Sequence, residues 1–473
     1  MHSTSAAAVT AASSRRWHVL AIVVAAQFMF GVDSFIVNVA LPTIAVELNA
    51  SSSQLGAVIA IYLIGYATLI VTGGRLGDIY GTKTVFLLGV AGFTLTSLWC
   101  GLAQSGTELI LARLAQGTTA ALMVPQVLAT LHVLFPDAAR TKAFAIYGIV
   151  LGLAGAAGFA LGGLLVTLDL GGFGWRAIFF VNGPIGLIII AAAALIVPQA
   201  PRRPGTRLDL PGAVILFIGL LSIIGPLLFG QELGWAPWIW LAMAGGGAIV
   251  ALFLRYERAL AARGGMPLID LGLLADPAFM RGLGAVFCFF FANQSFYLVI
   301  TLYMQMALQI PPLPAGLVFL PLALAFVIAA RHSGARAKRR GTLVLIEGCL
   351  LQIAGLGVIA LTVASVAAPS PALVALVLIV VGYGQGLVMA PLSGAVLASV
   401  QAHSAGSGSG LYGTTTQISS AAGIAAIGSL YFALAAVSSG RFALLVALAV
   451  LAVSLVGCIV LLRRMRRAAL VPS

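Results

Sequence analysis

Long apolar runs separated by short polar stretches extend along almost the whole chain. A helix needs about 20 mostly apolar residues to cross the hydrocarbon core of a bilayer. Runs of this kind predict helices near residues 17–41, 53–73, 84–103, 107–131, 141–167, 176–198, 211–230, 236–256, 280–306, 312–331, 342–364, 371–398, 407–433 and 440–462. The pattern therefore predicts an all-α membrane protein with 14 transmembrane helices.

Two polar stretches divide the predicted helices into groups of six, two and six. Residues 198–207 follow the sixth helix and residues 255–281 follow the eighth. Two repeated bundles with a substrate site between them are a common transporter architecture. We therefore predict a disordered cytoplasmic N-terminus at 1–16, a first six-helix bundle at 17–200, an inserted helix pair at 201–262, a second six-helix bundle at 263–462 and a cytoplasmic tail at 463–473.

Composition and charge favour a lipid environment. Hydrophobic residues make up 61% of the chain and charged residues only 8%, whereas soluble proteins carry about 25% charged residues. The net charge of +13 lies in short clusters beside apolar runs, which is typical of membrane loops rather than of a nucleic-acid site. Placing most Lys and Arg inside the cell predicts a multi-pass protein of the bacterial inner membrane, with both termini cytoplasmic.

The sequence contains no pattern that indicates an enzyme. It has no GxxxxGK[ST] phosphate loop, and its four cysteines lie far apart within apolar runs. We therefore predict no enzymatic activity, no metal site and no cofactor, with a proton gradient as the energy source. No nucleic-acid partner is expected either.

Asp33 and Arg113 fall deep inside predicted helices. Asp33 lies roughly 12 Å from the predicted outer end of helix 1, and Arg113 roughly 9 Å inside helix 4, at 1.5 Å per residue. A charge at the bilayer centre costs about 2.5–3.5 kcal/mol on insertion scales, so each needs a partner or a function. We interpret the two as a proton-coupling pair. The alternative is a structural Arg113 that reaches the interface with its long side chain.

Other polar, aromatic and small residues have weaker assignments. Glu347 is expected to pair with Arg339 or Arg340 at the inner end of its helix. The glycines of helix 5 predict close helix packing; they are Gly155, Gly158, Gly162 and Gly163. Candidates for lining a substrate cavity are Asn38, Tyr62, Tyr66, Gln116, Phe291, Gln294 and Tyr297.

Several segments resemble motifs of the fourteen-helix drug:proton antiporters of the major facilitator superfamily. These segments are VDSFIVNVALPTI (32–44), GRLGDIYGTKTVF (74–86), LILARLAQGTTAALMVPQ (109–126) and WRAIFFVNGPIG (175–186), in the order of the family. The resemblance implies the major facilitator fold, with Asp33 as the helix 1 acid and Arg113 as the helix 4 arginine. It also implies a gating loop that contains Gly74, Asp78, Gly81 and Lys83.

The sequence departs from the family pattern at several positions. Phe159 stands where the helix 5 motif has proline, and Ile79 and Thr82 stand where the loop motif has basic residues. The second bundle has only Glu347 as a membrane acid. The sequence therefore favours polyvalent cations no more than neutral, monocationic or anionic substrates.

The resulting hypothesis is a proton-coupled antiporter that exports amphipathic small molecules, such as drugs or antibiotics, by alternating access. Its expected partners are a small-molecule substrate, protons and the lipid bilayer, and it is expected to be a monomer. One alternative is a dedicated exporter of a single metabolite or natural product. Another is a membrane sensor or assembly partner that transports nothing.

Overall fold

The computed structural model describes residues 2–135, 137–199, 207–366, 368–398, 400 and 405–470. Regular structure in these ranges is entirely helical, and fourteen of the helices are long and apolar enough to cross a membrane. The all-α prediction is confirmed. In chain order the fourteen are α1 His2–Glu47, α2 Ser52–Tyr80, α3 Thr82–Leu102, α4 Gly106–Leu134, α5 Asp137–Leu168, α6 Gly174–Ile196, α7 Leu210–Phe229, α8 Pro237–Ala262, α9 Pro277–Ala307, α10 Pro312–Arg340, α11 Leu343–Ser365, α12 Pro371–Leu397, α13 Ala405–Val437 and α14 Gly440–Leu470.

Several helices extend further than the apolar runs that predicted them. The segment 2–16, expected to be disordered, continues α1 towards the N-terminus, and its five alanines are strong helix formers. The predicted loop 74–83 is mostly helical, because α2 runs to Tyr80 and α3 begins at Thr82. The predicted loop 331–341 is likewise helical as far as Arg340. Charged side chains end an apolar run, but they do not end the backbone hydrogen-bond ladder.

The helices pack mainly within two groups, α1 to α6 and α9 to α14. The groups meet where α2 lies against α13, where α5 lies against α10 and where α1 lies against α9. The inserted pair packs on itself, and α7 also contacts α2 and α13. The domain limits stay a prediction. Residues 200–206, where the limit between the first bundle and the inserted pair falls, and residues 471–473 of the tail lie outside the described residues.

Glycine allows α2 and α4 to approach backbone to backbone. A Cβ atom on Gly73 would lie 1.9 Å from the Ala121 carbonyl oxygen, and one on Gly117 would lie 2.1 Å from the Tyr62 carbonyl oxygen. No side chain larger than hydrogen fits at either position. The close approach holds α4, the helix that carries Arg113, against α2.

The glycine face of α5 also lies in close contacts. Cβ atoms on Gly158 and Gly162 would each come within 2.8 Å of a carbonyl oxygen of α1, and one on Gly163 would lie 2.6 Å from the Pro312 carbonyl oxygen. Gly155 has more room, with the Phe35 ring 3.5 Å away. The small-residue face of α5 therefore packs on both groups of helices.

Four aromatic rings fill the contact between the two groups of helices. We call Phe35 of α1, Phe159 of α5, Tyr297 of α9 and Phe319 of α10 the aromatic cluster. The ring of Phe159 is central, with centroids 4.0 Å from Phe319, 5.3 Å from Tyr297 and 5.6 Å from Phe35. The residue that departs from the helix 5 motif is thus one of those that join the two groups.

Candidate functional site

The carboxylate of Asp33 is enclosed by the first group of helices and is only 1% exposed. Its Oδ2 accepts a hydrogen bond from Arg113 Nη1 at 2.6 Å. Its Oδ1 accepts from Gln116 Nε2 at 2.9 Å and from Asn182 Nδ2 at 3.1 Å. Three donors from α4 and α6 therefore hold one carboxylate of α1, and charge-assisted bonds of this kind are among the stronger protein hydrogen bonds.

Arg113 is fully buried and has contacts on three sides. Its Nη1 also donates to Gln116 Oε1 at 2.6 Å, and its Nε donates to the Val58 carbonyl oxygen at 3.2 Å. The guanidinium carbon lies 4.0 Å from the centre of the Tyr62 ring, a cation–π contact. Its Nη2 has no hydrogen-bond partner among the described residues. The arginine does not reach the interface, so the structural alternative based on a snorkelling side chain does not describe it.

A second layer of polar groups orients the pair. Asn182 Nδ2 donates to Ser97 Oγ at 2.9 Å as well as to Asp33, and Ser97 Oγ donates to the Phe179 carbonyl oxygen at 2.9 Å. The Cys100 thiol lies 3.5 Å from Gln116 Oε1. The site thus uses α1, α2, α3, α4 and α6. A change in the charge of Asp33 would alter contacts made by all of these helices.

The chemistry available to this site is the binding of a proton by Asp33, which would remove its ion pair with Arg113. Breaking a buried ion pair by removing one partner costs about 3–5 kcal/mol, because the other charge is left unpaired. A proton on Asp33 is such a removal, since it neutralises the carboxylate. Arg113 would then need a new anion or water, and the contact between α1 and α4 would change.

The structure brings together only some of the predicted cavity residues. Gln116 and Tyr62 touch the ion pair. Tyr66 is one ring further away: the Phe30 ring lies between the two tyrosines, with its centroid 6.0 Å from that of Tyr62 and 5.1 Å from that of Tyr66. Among the described residues, Asn38 donates only to the Phe35 carbonyl oxygen of its own helix, at 3.1 Å. The remaining candidates lie on α9 in the second group; they are Phe291, Gln294 and Tyr297.

Tyr297 connects the aromatic cluster to a polar cavity in the second group. Its hydroxyl donates to Gln385 Oε1 at 2.8 Å. Gln385 lines a small cavity of about 10 Å³ together with Asn293 and Gln352, which is room for about one water molecule. Phe291 instead stacks on Phe287, with ring centroids 6.1 Å apart.

The predicted gating residues lie at the junction of α2 and α3. Gly74 and Asp78 belong to the last turns of α2, so they are helical rather than in a loop. Gly81 forms the break, with a φ of 94° that favours glycine. Lys83 donates to the Ala194 carbonyl oxygen at 2.7 Å and so joins α3 to α6.

Glu347 is held in an ion-pair cluster at the end of α10. Its Oε1 lies 2.5 Å from Arg340 Nη1, as expected, and its Oε2 lies 2.9 Å from Arg336 Nη2. The prediction named Arg339 or Arg340; Arg340 is confirmed, and the second partner is Arg336. Each carboxylate oxygen of this partly exposed acid thus forms an ion pair with an arginine, which agrees with a structural role.

Sequence reasoning missed several polar groups. Asn182 and Ser97 are uncharged, so they do not stand out within apolar runs as Asp33 and Arg113 do. Asp209 and Glu257 lie beside polar stretches of the sequence, yet the two residues are only 3% and 0% exposed. The burial has a physical reason: Glu257 lies inside α8, and the chain at 266–269 folds back over it.

Comparison with known proteins places this geometry in a family. The family model described as the Major Facilitator Superfamily matches residues 23–424. The chain belongs to the major facilitator superfamily. As a member of that superfamily it is a membrane transporter and not an enzyme, and the resemblance drawn from its motifs is confirmed.

The relatives and a solved structure agree with this assignment. The "Probable actinorhodin transporter" of Streptomyces coelicolor is 34% identical over 432 residues, which cover 89% of this chain and 73% of that protein. The puromycin resistance protein of Streptomyces alboniger is 32% identical over 428 residues, which cover 88% of this chain and 82% of that protein. An inward-facing bacterial homologue of the human lysosomal transporter Spinster aligns with a TM-score of 0.68 and 15% identity over 96% of this chain and 98% of that one. At this identity the likeness shows the fold alone.

Proposed function

We propose that this transporter is a proton-coupled antiporter that exports antibiotics or related amphipathic small molecules across the bacterial inner membrane. The observation that carries the proposal is the buried Asp33–Arg113 ion pair, closed by two amide side chains inside a transporter fold. The described functions of the two relatives, actinorhodin transport and puromycin resistance, support an exported natural product or drug.

Proton coupling follows from the stability of this ion pair. With Asp33 ionised, the pair holds α1 and α4 together through the 2.6 Å contact. With Asp33 protonated, the pair is lost and the helices can rearrange, which changes the side of the membrane to which the site is open. The proton gradient supplies the energy, so the cycle needs no nucleotide and no cofactor. Both termini face the cytoplasm in this orientation, and one chain suffices for the cycle.

The charge distribution restricts the substrate. The second group of helices has Glu347 as an acid in its membrane-spanning part, and both oxygens of that acid are already paired with arginine. Its interior polar groups among the described residues are amides and hydroxyls, as in the cavity of Asn293, Gln352 and Gln385. A substrate with several positive charges would find no free carboxylate there. We therefore infer a neutral or singly charged substrate.

A dedicated exporter of a single natural product is the second candidate. It is favoured by the relative that is described by one compound, actinorhodin. A panel of neutral antibiotics, cationic dyes and organic acids separates the two candidates. Efflux of one chemical class alone favours the dedicated exporter, and efflux of unrelated classes favours the broader function.

The decisive experiment measures proton movement in everted membrane vesicles that contain the full-length protein. Adding a transported substrate to wild-type vesicles should partly dissipate a preformed proton gradient. Asp33→Asn should abolish this response, because the amide cannot bind and release a proton. Glu347→Gln is the matched control, since that acid is partly exposed and paired at a helix end, and it should retain the response. Export by Asp33→Asn at the wild-type rate and with the wild-type pH dependence would refute proton coupling through Asp33.

A further inference from the structure

A second group of buried ionisable side chains lies at one end of the inserted helix pair. Asp209 caps the N-terminus of α7 by accepting from the Gly212 amide at 3.0 Å, and Glu257 lies in the last two turns of α8. This is the predicted cytoplasmic end of the pair, where α2 also ends. The Asp33 site contains neither residue, and transport coupling through Asp33 makes no use of them.

Each of these carboxylates is only half satisfied. Asp209 Oδ1 accepts from the Tyr256 hydroxyl at 2.8 Å in addition to the Gly212 amide, and Glu257 Oε2 accepts from the Ile269 amide at 3.0 Å. The other two oxygens, Asp209 Oδ2 and Glu257 Oε1, are buried without a hydrogen-bond partner among the described residues. Leaving a buried charged oxygen unpaired costs more free energy than leaving a neutral group unpaired.

The two unpaired oxygens point to the same place. A Cβ atom on Gly212 would lie 2.2 Å from Asp209 Oδ2 and 2.7 Å from Glu257 Oε1. The absence of a side chain at Gly212 therefore allows both oxygens to occupy one small space. Two ionised carboxylates in such a space repel each other, and one of a buried pair normally keeps a proton.

The nearby charges do not remove this repulsion. Arg75 of α2 lies within electrostatic range of both carboxylates, but Asp78 of the same helix is close to it as well. The guanidinium of Arg75 donates to backbone carbonyl groups, with Nη1 2.8 Å from the Met266 oxygen and Nη2 on the Pro267 oxygen. In the described part of the chain neither carboxylate forms an ion pair. One arginine therefore faces an excess of negative charge, which a bound proton would reduce.

Arg75 also ties the inserted pair to the first group of helices. Its Nη1 lies 3.4 Å from the Arg207 carbonyl oxygen, just before Asp209, and its other contacts lie just before Ile269, which donates to Glu257. One side chain of α2 thus holds both the segment that leads into Asp209 and the segment whose Ile269 amide donates to Glu257. The charge state of the pair and the docking of α7 and α8 on α2 share the same contacts.

We propose that Asp209 and Glu257 form a second proton-binding site, in which one proton is shared between Asp209 Oδ2 and Glu257 Oε1 and keeps the inserted pair docked on α2 through Arg75. A proton between the two oxygens makes an O–H···O⁻ bond that satisfies both. Its loss leaves two adjacent buried carboxylates, which attract Arg75 away from the backbone carbonyls. The inserted pair is then a pH-responsive element that is separate from the Asp33 site.

The first test is infrared spectroscopy of the full-length protein in lipid at neutral pH. The wild type should have a carbonyl band of a protonated carboxylic acid that disappears as the pH is raised. Glu257→Gln should lack this band, and Asp33→Asn and Glu347→Gln should keep it. The glutamine amide can donate to Asp209 Oδ2 in place of the shared proton, so this variant is expected to fold. A band that persists in Glu257→Gln and in Asp209→Asn would overturn the proposal.

The second test is thermal unfolding as a function of pH. The shared proton stabilises the folded state at low pH, and this stabilisation is lost as rising pH removes the proton. The wild-type midpoint should fall on alkalinisation, whereas the Glu257→Gln midpoint should change less. If sodium or magnesium ions restore the wild-type midpoint at high pH, the pair binds a metal cation and the shared proton is wrong. These readouts do not involve transport, so they are independent of the proposed antiport.

Discussion

Asn182 illustrates how one neutral side chain can organise charged neighbours. Its amide donates both to Asp33 Oδ1 and to Ser97 Oγ, so it links α6 to α1 and α3. Without it, Asp33 Oδ1 would keep only the bond from Gln116. A hydrogen bond to a charged group contributes about 1.5–3 kcal/mol, so a single amide is a substantial part of the stability of the site.

Replacing Asn182 with alanine should therefore destabilise the transporter by about 1.5–3 kcal/mol. The free energy of unfolding in detergent measures this loss. Asn38→Ala is the matched control, because Asn38 is buried too but donates only to a carbonyl group of its own helix. Equal losses in the two variants would mean that the bond to Asp33 contributes nothing beyond burial.

The sequence predicted the charged residues of this site together with Gln116 and Tyr62, but not Asn182 or Ser97. Asp33 and Arg113 stand out because each is an expensive charge within an apolar run. Asn182 does not, since polar residues of modest cost occur in many membrane helices. The burial of Asp209 and Glu257 was not predicted for another reason: a polar stretch in sequence is not always exposed, and here the chain at 266–269 covers Glu257.

At the scale of helices, the contact between α2 and α4 positions the arginine. Gly73 and Gly117 place the two backbones in contact, and Arg113 then donates to the Val58 carbonyl oxygen and lies on the Tyr62 ring. This order of cause is physical: the arginine reaches a backbone carbonyl of α2 only because no side chain separates the helices. Helix existence was predictable from apolar runs, but this close contact depends on three-dimensional register.

Gly117→Ala tests the contact directly. The new methyl group would lie 2.1 Å from the Tyr62 carbonyl oxygen, so α2 and α4 must separate. Overpacking of this kind costs about 1–3 kcal/mol, and transport should fall because Arg113 moves away from Tyr62. The free energy of unfolding measures the loss of stability, and the transport rate in vesicles measures the loss of activity.

The control for this variant is Gly357→Ala in α11. A Cβ atom there would meet nothing within 4 Å. Since alanine has a helix propensity about 1 kcal/mol better than glycine, this variant should be at least as stable as the wild type. A Gly117→Ala protein with the stability and activity of the control would show that the helices are not in close contact during the cycle.

At the scale of the molecule, the two groups of helices touch at two levels. In the middle of α2, the Ala67 carbonyl oxygen accepts from Thr414 of α13 at 3.3 Å. Near the C-terminal ends of α1 and α9, Gln305 donates to the Val39 carbonyl oxygen at 3.0 Å. The motifs predicted the superfamily and hence the two groups. They did not predict which residues join them, because Phe159 departs from the motif and its partners lie far away in sequence.

Phe159 should control the opening of the predicted outer end. It is 1% exposed and contacts all three other rings of the aromatic cluster. Aromatic pairs contribute about 0.5–1.5 kcal/mol each beyond area burial, and a shift of about 1.4 kcal/mol changes a population tenfold. Phe159→Ala should therefore increase the outward-open population by about tenfold or more.

A cysteine at position 301 reports this opening. Thr301 is buried and lies between Tyr297 and Gln305 on one face of α9, the face that meets α1. A membrane-impermeant maleimide added from outside should label Thr301→Cys slowly in the wild-type background and about ten times faster with Phe159→Ala. Leu161→Ala is the control, because Leu161 lies on α5 like Phe159 but at an exposed position. It should leave the labelling rate unchanged. Equal labelling rates in all three backgrounds would mean that the aromatic cluster does not hold the outer end closed.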